Sequence, residues 1–227
     1  MIAPVIEKRF HHANPVADIN RATLRDAGVF TVSVMGGPGC GKTSLIDATI
    51  LRLMPEVHVG VIACDIASHL DADRMIRHSD QVVQVNVGEG GTLDASYIRD
   101  ALNGLDLKWL DVLFIENIGT LVGSPLDLGQ DATVAMFSVA AGHDKPAKHP
   151  ELARAANAVV LSKADLFTAV PFEAPVFWSE VAHLNPQARR FEVSALKGTG
   201  MDKWIEWLQD PTKPAKRDPA GASRWFG

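Results

Sequence analysis

The sequence is poor in cysteine and has no excess of basic residues. Its 227 residues include two cysteines, too few for the disulfide framework of a small secreted protein. Lysine and arginine number 22 against 27 aspartate and glutamate, so no global positive field exists to attract nucleic acid or an anionic membrane. These absences predict a protein of the reducing cytoplasm with no nucleic-acid partner.

Long hydrophobic runs are also missing. The apolar stretches end well before the roughly 18 residues that a membrane span requires, and the N-terminus lacks the apolar core of a signal peptide. The length allows one substantial core but not two ordinary domains and a linker. We predict no membrane partner and a single domain at 13–210, between a flexible N-terminus at 1–12 and a disordered tail at 211–227, which is rich in proline and basic residues.

Short apolar runs bounded by turn residues recur along the chain. Seven of them are predicted as strands: Val29–Met35, Val57–Ala63, Val82–Val87, Val112–Ile115, Thr133–Val139, Ala158–Leu161 and Phe191–Ser194. Helical patterns lie between them, most clearly from Leu93 to Leu105, where Thr92 is the expected N-cap. Because the strands are apolar almost throughout and helix-length connections separate them, we predict an α/β fold. Its mostly parallel sheet of roughly seven strands is flanked by helices.

The most specific motif follows the first predicted strand and leads into the helical pattern Thr43–Met54. It matches G-x-x-x-x-G-K-[ST] at every fixed position and reads Gly36-Gly37-Pro38-Gly39-Cys40-Gly41-Lys42-Thr43. Such a loop points its amides at phosphate oxygens, and the helix adds the positive end of its dipole. The predicted nucleotide contacts are Gly37, Gly39, Cys40, Gly41, Lys42, Thr43 and Ser44. Lys42 is expected to reach the β- and γ-phosphates and Thr43 to ligate magnesium.

Two acidic residues follow neighbouring predicted strands. Asp65 comes after Val57–Ala63, and Glu116 directly follows Val112–Ile115. The carboxyl ends of parallel strands lie where the phosphate loop opens, so both carboxylates are expected to project toward the triphosphate. We predict that Asp65 and Glu116 are catalytic together with Lys42, and that both acids and Thr43 surround magnesium. The alternative role for each acid is that of a turn former or helix cap.

A base-reading element is predicted after the sixth strand. Ser162-Lys163-Ala164-Asp165 resembles the N-K-x-D element of GTPases, in which the aspartate accepts hydrogen bonds from guanine N1 and N2 and the lysine stem packs over the base. Ser162 departs from it, because the usual asparagine braces the loop and can meet the purine edge. Ser194-Ala195-Leu196 resembles the supporting S-A-x loop. Together these elements favour GTP over ATP, and Ser162 leaves the strictness of guanine selectivity open.

Several further segments resemble the hydrogenase nickel-incorporation GTPases, the HypB family. They are Ala17-Asp18-Ile19-Asn20-Arg21, Asp71-Ala72-Asp73-Arg74, Glu116-Asn117-Ile118-Gly119 and the run HDKPAKHP at 143–150. The last two are similar to the family's E-N-V-G switch and D-K-P-x-K-x-P segment, which distinguish it from its urease relatives. The resemblance covers residues 14 to 208 and implies a P-loop NTPase fold of the SIMIBI type.

What the resemblance implies is a slow GTPase that uses GTP and magnesium and leaves GDP. It also implies a homodimer that forms with GTP, and a role in passing nickel to a metalloenzyme precursor with a partner metallochaperone. Phosphoryl transfer asks the protein mainly to hold magnesium, offset charge and place a water molecule, so slow turnover is compatible with a switch. Contact across a dimer would be favoured by the γ-phosphate and lost on hydrolysis.

The chain departs from the family at the metal ligands. Family members bind metal through a Cys-His pair in a G-K-G-C-H-L-D-A segment and through a later cysteine. In this sequence Gly91 and Thr92 replace the pair, and Gly123 replaces the later cysteine. Glycine has no ligand atom, and a threonine hydroxyl is a poor ligand for nickel or zinc. We therefore predict no transition-metal site at these three positions.

Both cysteines are expected at the nucleotide edge of the sheet, Cys40 in the phosphate loop and Cys64 beside Asp65. Packing as small apolar residues is the favoured role for both. The alternative is a reactive Cys40, whose thiol pKa the loop amides would lower.

The leading functional hypothesis is a GTP-binding, slowly hydrolysing maturation factor that acts as a nucleotide-dependent dimer switch. Its nucleotide machinery is intact, whereas the family's metal ligands are missing. One alternative is a non-hydrolysing nucleotide-binding scaffold for another metalloenzyme client. The other is an ATP-using enzyme on the same fold.

Overall fold

The computed structural model describes residues 14–65, 79, 81–88, 93–117 and 126–210. The predicted terminal segments at 1–12 and 211–227, and the positions Gly91, Thr92 and Gly123, lie outside these residues. Within them, strands and helices alternate along the chain, which confirms the predicted α/β fold.

Seven strands form one sheet in the part of the chain that the structure describes. They are β1 (Phe30–Gly36), β2 (Val59–Asp65), β3 (Gln81–Asn86), β4 (Val112–Glu116), β5 (Ala132–Ser138), β6 (Ala158–Ser162) and β7 (Arg189–Val193). Their order across the sheet is β3-β2-β4-β1-β5-β6-β7, and every neighbouring pair is parallel. The predicted "mostly parallel" sheet is thus parallel throughout these strands.

Helices cover both faces of the sheet. They are α1 (Pro15–Asp26), α2 (Lys42–Leu53), α3 (Ala95–Leu102), α4 (Lys145–Lys148), α5 (Pro150–Ala155), α6 (Ala174–Leu184) and α7 (Met201–Leu208). Short 3-10 turns follow β5 at Val139–Ala141 and β6 at Ala164–Leu166. No helix in the described ranges combines the length and apolar character that crossing a membrane requires.

The core is divided by the sheet into two layers because successive side chains of a strand point to opposite faces. In β4, Val112 and Phe114 pack with α2 and α7, where Trp204 is fully buried. The alternate residues Leu113 and Ile115 pack instead with α1 and α3. This burial on both faces explains why the inner strands are apolar almost throughout, whereas the edge strands β3 and β7 are more exposed.

The start of α3 differs from the prediction. Its N-cap is Asp94, whose Oδ1 accepts hydrogen bonds from Ser96 N at 2.7 Å and Tyr97 N at 3.4 Å. The expectation that Thr92 caps this helix is wrong, because a closer carboxylate takes the first free amides. The hydroxyl of Ser96 donates to the same oxygen at 2.5 Å, and this bond, with the two amide bonds, lowers the pKa of Asp94.

Candidate nucleotide-binding site

The phosphate loop joins β1 to α2 at the middle of the sheet. Gly39 and Gly41 have φ values of 68° and 92°, in the left-handed region that favours glycine. Gly41 is the N-cap of α2, and its carbonyl accepts the amide of Leu45 at 2.9 Å. The loop therefore leads directly into a helix N-terminus, where backbone N–H groups and the helix dipole favour an anion.

Lys42 is held against the loop that precedes it. Its side chain is 8% exposed, and Nζ donates to the carbonyl of Gly36 at 3.2 Å. The ammonium group therefore lies over the loop rather than in solvent. This location agrees with the predicted role of Lys42 as a phosphate ligand.

Thr43 and Glu116 meet at the carboxyl edge of the sheet. Thr43 Oγ1 donates to Glu116 Oε1 at 2.7 Å, and Glu116 is buried. The pairing of Val34 with Glu116 places the end of β4 beside the loop. A hydroxyl and a carboxylate are the hard oxygen donors that magnesium prefers, so the pair fits the predicted metal.

Asp65 occupies the end of the next strand. It is the last residue of β2, two positions beyond Ala63, which pairs with Glu116. The two acids thus end adjacent parallel strands, as the sequence indicates. The structure places the backbone of Asp65 at this edge and brings Thr43 and Glu116 into direct contact.

The predicted base-reading residues lie at the ends of β6 and β7. Ser194 Oγ donates to Asp165 Oδ1 at 2.5 Å, which links the two loops, and it accepts the amide of Lys197 at 3.1 Å. Lys163 has a φ of 58°, in the left-handed region. This conformation is uncommon for residues other than glycine, and the exceptions cluster at functional sites. Of the neighbouring S-A-x residues, Ala195 is partly buried and Leu196 is exposed.

A cavity of about 320 Å³ opens between the phosphate loop and the ends of β5 and β6. Gly37, Pro38, Gly39 and Cys40 line one side of it, and Lys145 and Lys163 lie among its other lining residues. Loop amides and two cations suit an anionic ligand. Lys145 is missing from the predicted site residues, although the D-K-P-x-K-x-P segment contains it.

Burial governs both thiols. It raises the pKa of Cys40, against the opposing effect of Lys42. It raises the pKa of Cys64 to about 12, with a further contribution from the negative charge of Glu116. Both side chains belong to the apolar core, as the favoured prediction states. The alternative of a Cys40 with a lowered pKa is wrong, because desolvation of the thiolate outweighs the positive charges nearby.

Within the described residues, no three histidine, cysteine, aspartate or glutamate side chains form a group that could hold a metal ion. Residues 89–92 and 118–125 are not among them, so the predicted absence of a transition-metal site stays a prediction.

Most of the chain matches a known protein family. A family model described as "CobW/HypB/UreG, nucleotide-binding domain" matches residues 30–192. Hydrogenase maturation factor HypB of Escherichia coli is 37% identical over 197 residues, which are 86% of this chain and 68% of that protein. A probable HypB of Methanocaldococcus jannaschii is 35% identical over 202 residues, or 88% of this chain and 91% of that one.

Solved structures agree with the sequence relatives. HypB from Archaeoglobus fulgidus superposes with a TM-score of 0.80 and 35% identity, over 86% of this chain and 96% of that one. HypB from Helicobacter pylori, crystallised in complex with nickel, gives 0.78 and 28% identity over 85% and 93% of the two chains. This chain therefore belongs to the CobW/HypB/UreG family and, within it, to the HypB proteins.

Proposed function

We propose that the protein is a GTP-binding and slowly GTP-hydrolysing maturation factor for a metalloenzyme of the hydrogenase type. The observation that carries this proposal is the contact of Thr43 with Glu116 beside the buried Lys42. A plain glycine-rich turn has no need of a lysine folded over the loop and a hydroxyl–carboxylate pair at its end. The proposed role in maturation rests on the HypB relatives, whose names describe hydrogenase maturation.

The proposed chemistry depends on position and charge. Amides of the loop and Lys42 bind the β- and γ-phosphates, and Thr43 and Glu116 hold magnesium with Asp65 on the neighbouring strand. When bound, magnesium offsets negative charge on the phosphate oxygens. The carboxylates of Asp65 and Glu116 orient the attacking water by accepting its hydrogen bonds.

The proposed base site uses the second pair of loops. Asp165 accepts hydrogen bonds from N1 and N2 of guanine, and the aliphatic stem of Lys163 packs over the ring. Ser194 holds the carboxylate of Asp165 in place from the next strand. Ala195 and Leu196 border the base.

Substitution of Lys42 tests the proposed contacts with the phosphates. Lys42→Ala should lower the affinity for magnesium–GTP by about 100-fold in a calorimetric titration, because charge-assisted contacts to phosphate are lost. Lys203→Ala, at an exposed lysine of α7, is the matched control and should bind normally. Unchanged affinity in Lys42→Ala would refute the phosphate-loop assignment.

Glu116→Gln separates an enzyme from a nucleotide-binding scaffold. The amide keeps the size of the side chain and removes its charge, so phosphate release should fall at least tenfold while GTP still binds. Equal rates of phosphate release in the wild type and Glu116→Gln would favour the non-hydrolysing scaffold.

The proposed setting is the cytoplasm, with a metalloenzyme precursor and a partner metallochaperone as protein contacts. We propose that the partner holds the nickel ion, because Gly91, Thr92 and Gly123 provide no ligand at the family's positions. In this arrangement the protein contributes the GTP-driven dimer that times the transfer.

A further inference from the structure

Ser162 connects the two halves of the nucleotide site. It is the last residue of β6 and is 5% exposed. Its Oγ lies 2.5 Å from the carbonyl oxygen of Cys40, in the phosphate loop, and 3.0 Å from that of Phe137, in β5. The loop that precedes Asp165 is therefore attached to the loop that binds phosphate.

The single hydroxyl proton of Ser162 limits the hydrogen bonds that this residue can donate. A serine hydroxyl has one proton, and both of its close partners are carbonyl oxygens, which only accept. The shorter contact, to Cys40, takes that proton. An asparagine at this position would have two amide protons, one for the loop carbonyl and a second for a ligand.

Guanine presents acceptors on the edge that Asp165 does not read. Its N7 and O6 both accept hydrogen bonds, so a contact there requires a donor from the protein. Ser162 has no proton left to offer such an acceptor while it is bonded to the phosphate loop. The hydroxyl can then only accept a further hydrogen bond, whereas N7 needs a donor.

Resting on the GTP site proposed above, we propose that Ser162 is a positioning residue that fixes the base-reading loop to the phosphate loop. Guanine is then recognised at N1 and N2 by Asp165, with no hydrogen bond from Ser162 to N7. The strictness of base selection thus depends on how firmly Asp165 is held. Ser194 holds its carboxylate directly, and Ser162 fixes the strand end from which the loop starts.

The wild-type protein provides the first test. Calorimetric titration with magnesium–GTP and magnesium–7-deaza-GTP compares two ligands that differ only at N7. We expect the two affinities to agree within threefold. A deficit of more than threefold for 7-deaza-GTP overturns the inference and leaves the proposed GTP site intact. If neither nucleotide binds, the proposed function fails and the inference fails with it.

Variants of Ser162 test its positioning role. ITP lacks the 2-amino group that Asp165 reads, so the wild type should bind GTP about tenfold more tightly than ITP. In Ser162→Ala that ratio should fall to about threefold, and Ser162→Thr, which keeps the hydroxyl, should restore it. A ratio of affinities is insensitive to a misfolded fraction, so an unchanged ratio in Ser162→Ala would contradict the positioning role. Ser162→Asn should gain about fivefold discrimination against 7-deaza-GTP.

Discussion

Cys64 shows how one buried residue makes the stability of the protein depend on pH. Its thiol lies in the apolar layer beneath α1 and α3 and near the negative charge of Glu116, which together raise its pKa to about 12. The folded protein therefore retains a proton that the unfolded chain releases near pH 9. Stability from this difference is complete below pH 9 and is lost as pH rises from 9 toward 12.

Cys64→Ala should flatten the alkaline part of the stability curve. Between pH 8 and pH 10 we expect the free energy of unfolding to fall by about 1.4 kcal/mol more in the wild type than in the variant. Urea unfolding at a series of pH values measures both slopes. Because Cys40 remains in both proteins, the difference isolates Cys64, and equal slopes would contradict its raised pKa.

Residues of the site differ in how far the sequence predicts their contacts. The loop from Gly36 to Thr43 is recognisable because its chemistry requires fixed residue types at fixed spacing. The bond from Ser162 to Cys40 is not, because the partners are 122 positions apart and the acceptor is a backbone oxygen. The residue type at position 40 therefore gives no indication of this bond.

Among the elements, α1 shows why a segment outside the nucleotide site has a distinctive sequence. Asn20 is 1% exposed, and its Nδ2 donates to Ala95 O at 2.8 Å and to Leu128 O at 3.0 Å. Arg21, next to it, pairs with Asp18 and Asp127 at 2.6 Å each. The segment 17–21 therefore joins α1 to the start of α3 and to the loop before β5.

Asn20→Ala should destabilise the protein by about 2 kcal/mol, because two buried carbonyls lose their donor. Chemical unfolding measures the loss. Ile19→Ala is the matched control on the same helix, since Ile19 is 46% exposed, and it should change stability by less than about 0.5 kcal/mol. Equal effects of the two substitutions would show that the amide of Asn20 does not hold α1.

The strands were the most predictable elements. Every predicted strand overlaps an observed one, with ends within two residues. The inner strands β1, β4, β5 and β6 are the clearest, because burial on both faces leaves an almost uninterrupted apolar run. Helix starts depend on single side chains, and so Asp94 replaces the expected Thr92. The order of the strands follows from crossovers that the spacing of apolar residues does not record.

For the whole molecule, strand order sets the layout of the site. β1 lies between β4 and β5, so the phosphate loop has the acids on one side and the predicted base-reading loops on the other. With neighbouring strands about 4.8 Å apart, β1 and β6 are separated by roughly 10 Å. A nucleotide bound as proposed would therefore span the ends of several strands.

The proposed dimer switch gives a prediction at this scale. In sedimentation experiments we expect a dimer with magnesium–GTPγS, a monomer without nucleotide, and a monomer for Lys42→Ala under both conditions. Titration of the apo and GTPγS forms with nickel should show no tight site. Tight nickel binding by the dimer would contradict the proposal that the partner holds the ion, and would show that other side chains replace the missing ligands.

The central position of β1 also has a consequence for the protein during its synthesis. β1 is complete at Gly36, but its two neighbours are β4, beginning at Val112, and β5, beginning at Ala132. A nascent chain from which β4 has not yet emerged thus carries the full phosphate-loop motif on an unpaired strand. The proposed GTP ligand can stabilise the domain only after β4 and β5 have emerged from the ribosome, so it cannot guide the folding steps that precede them.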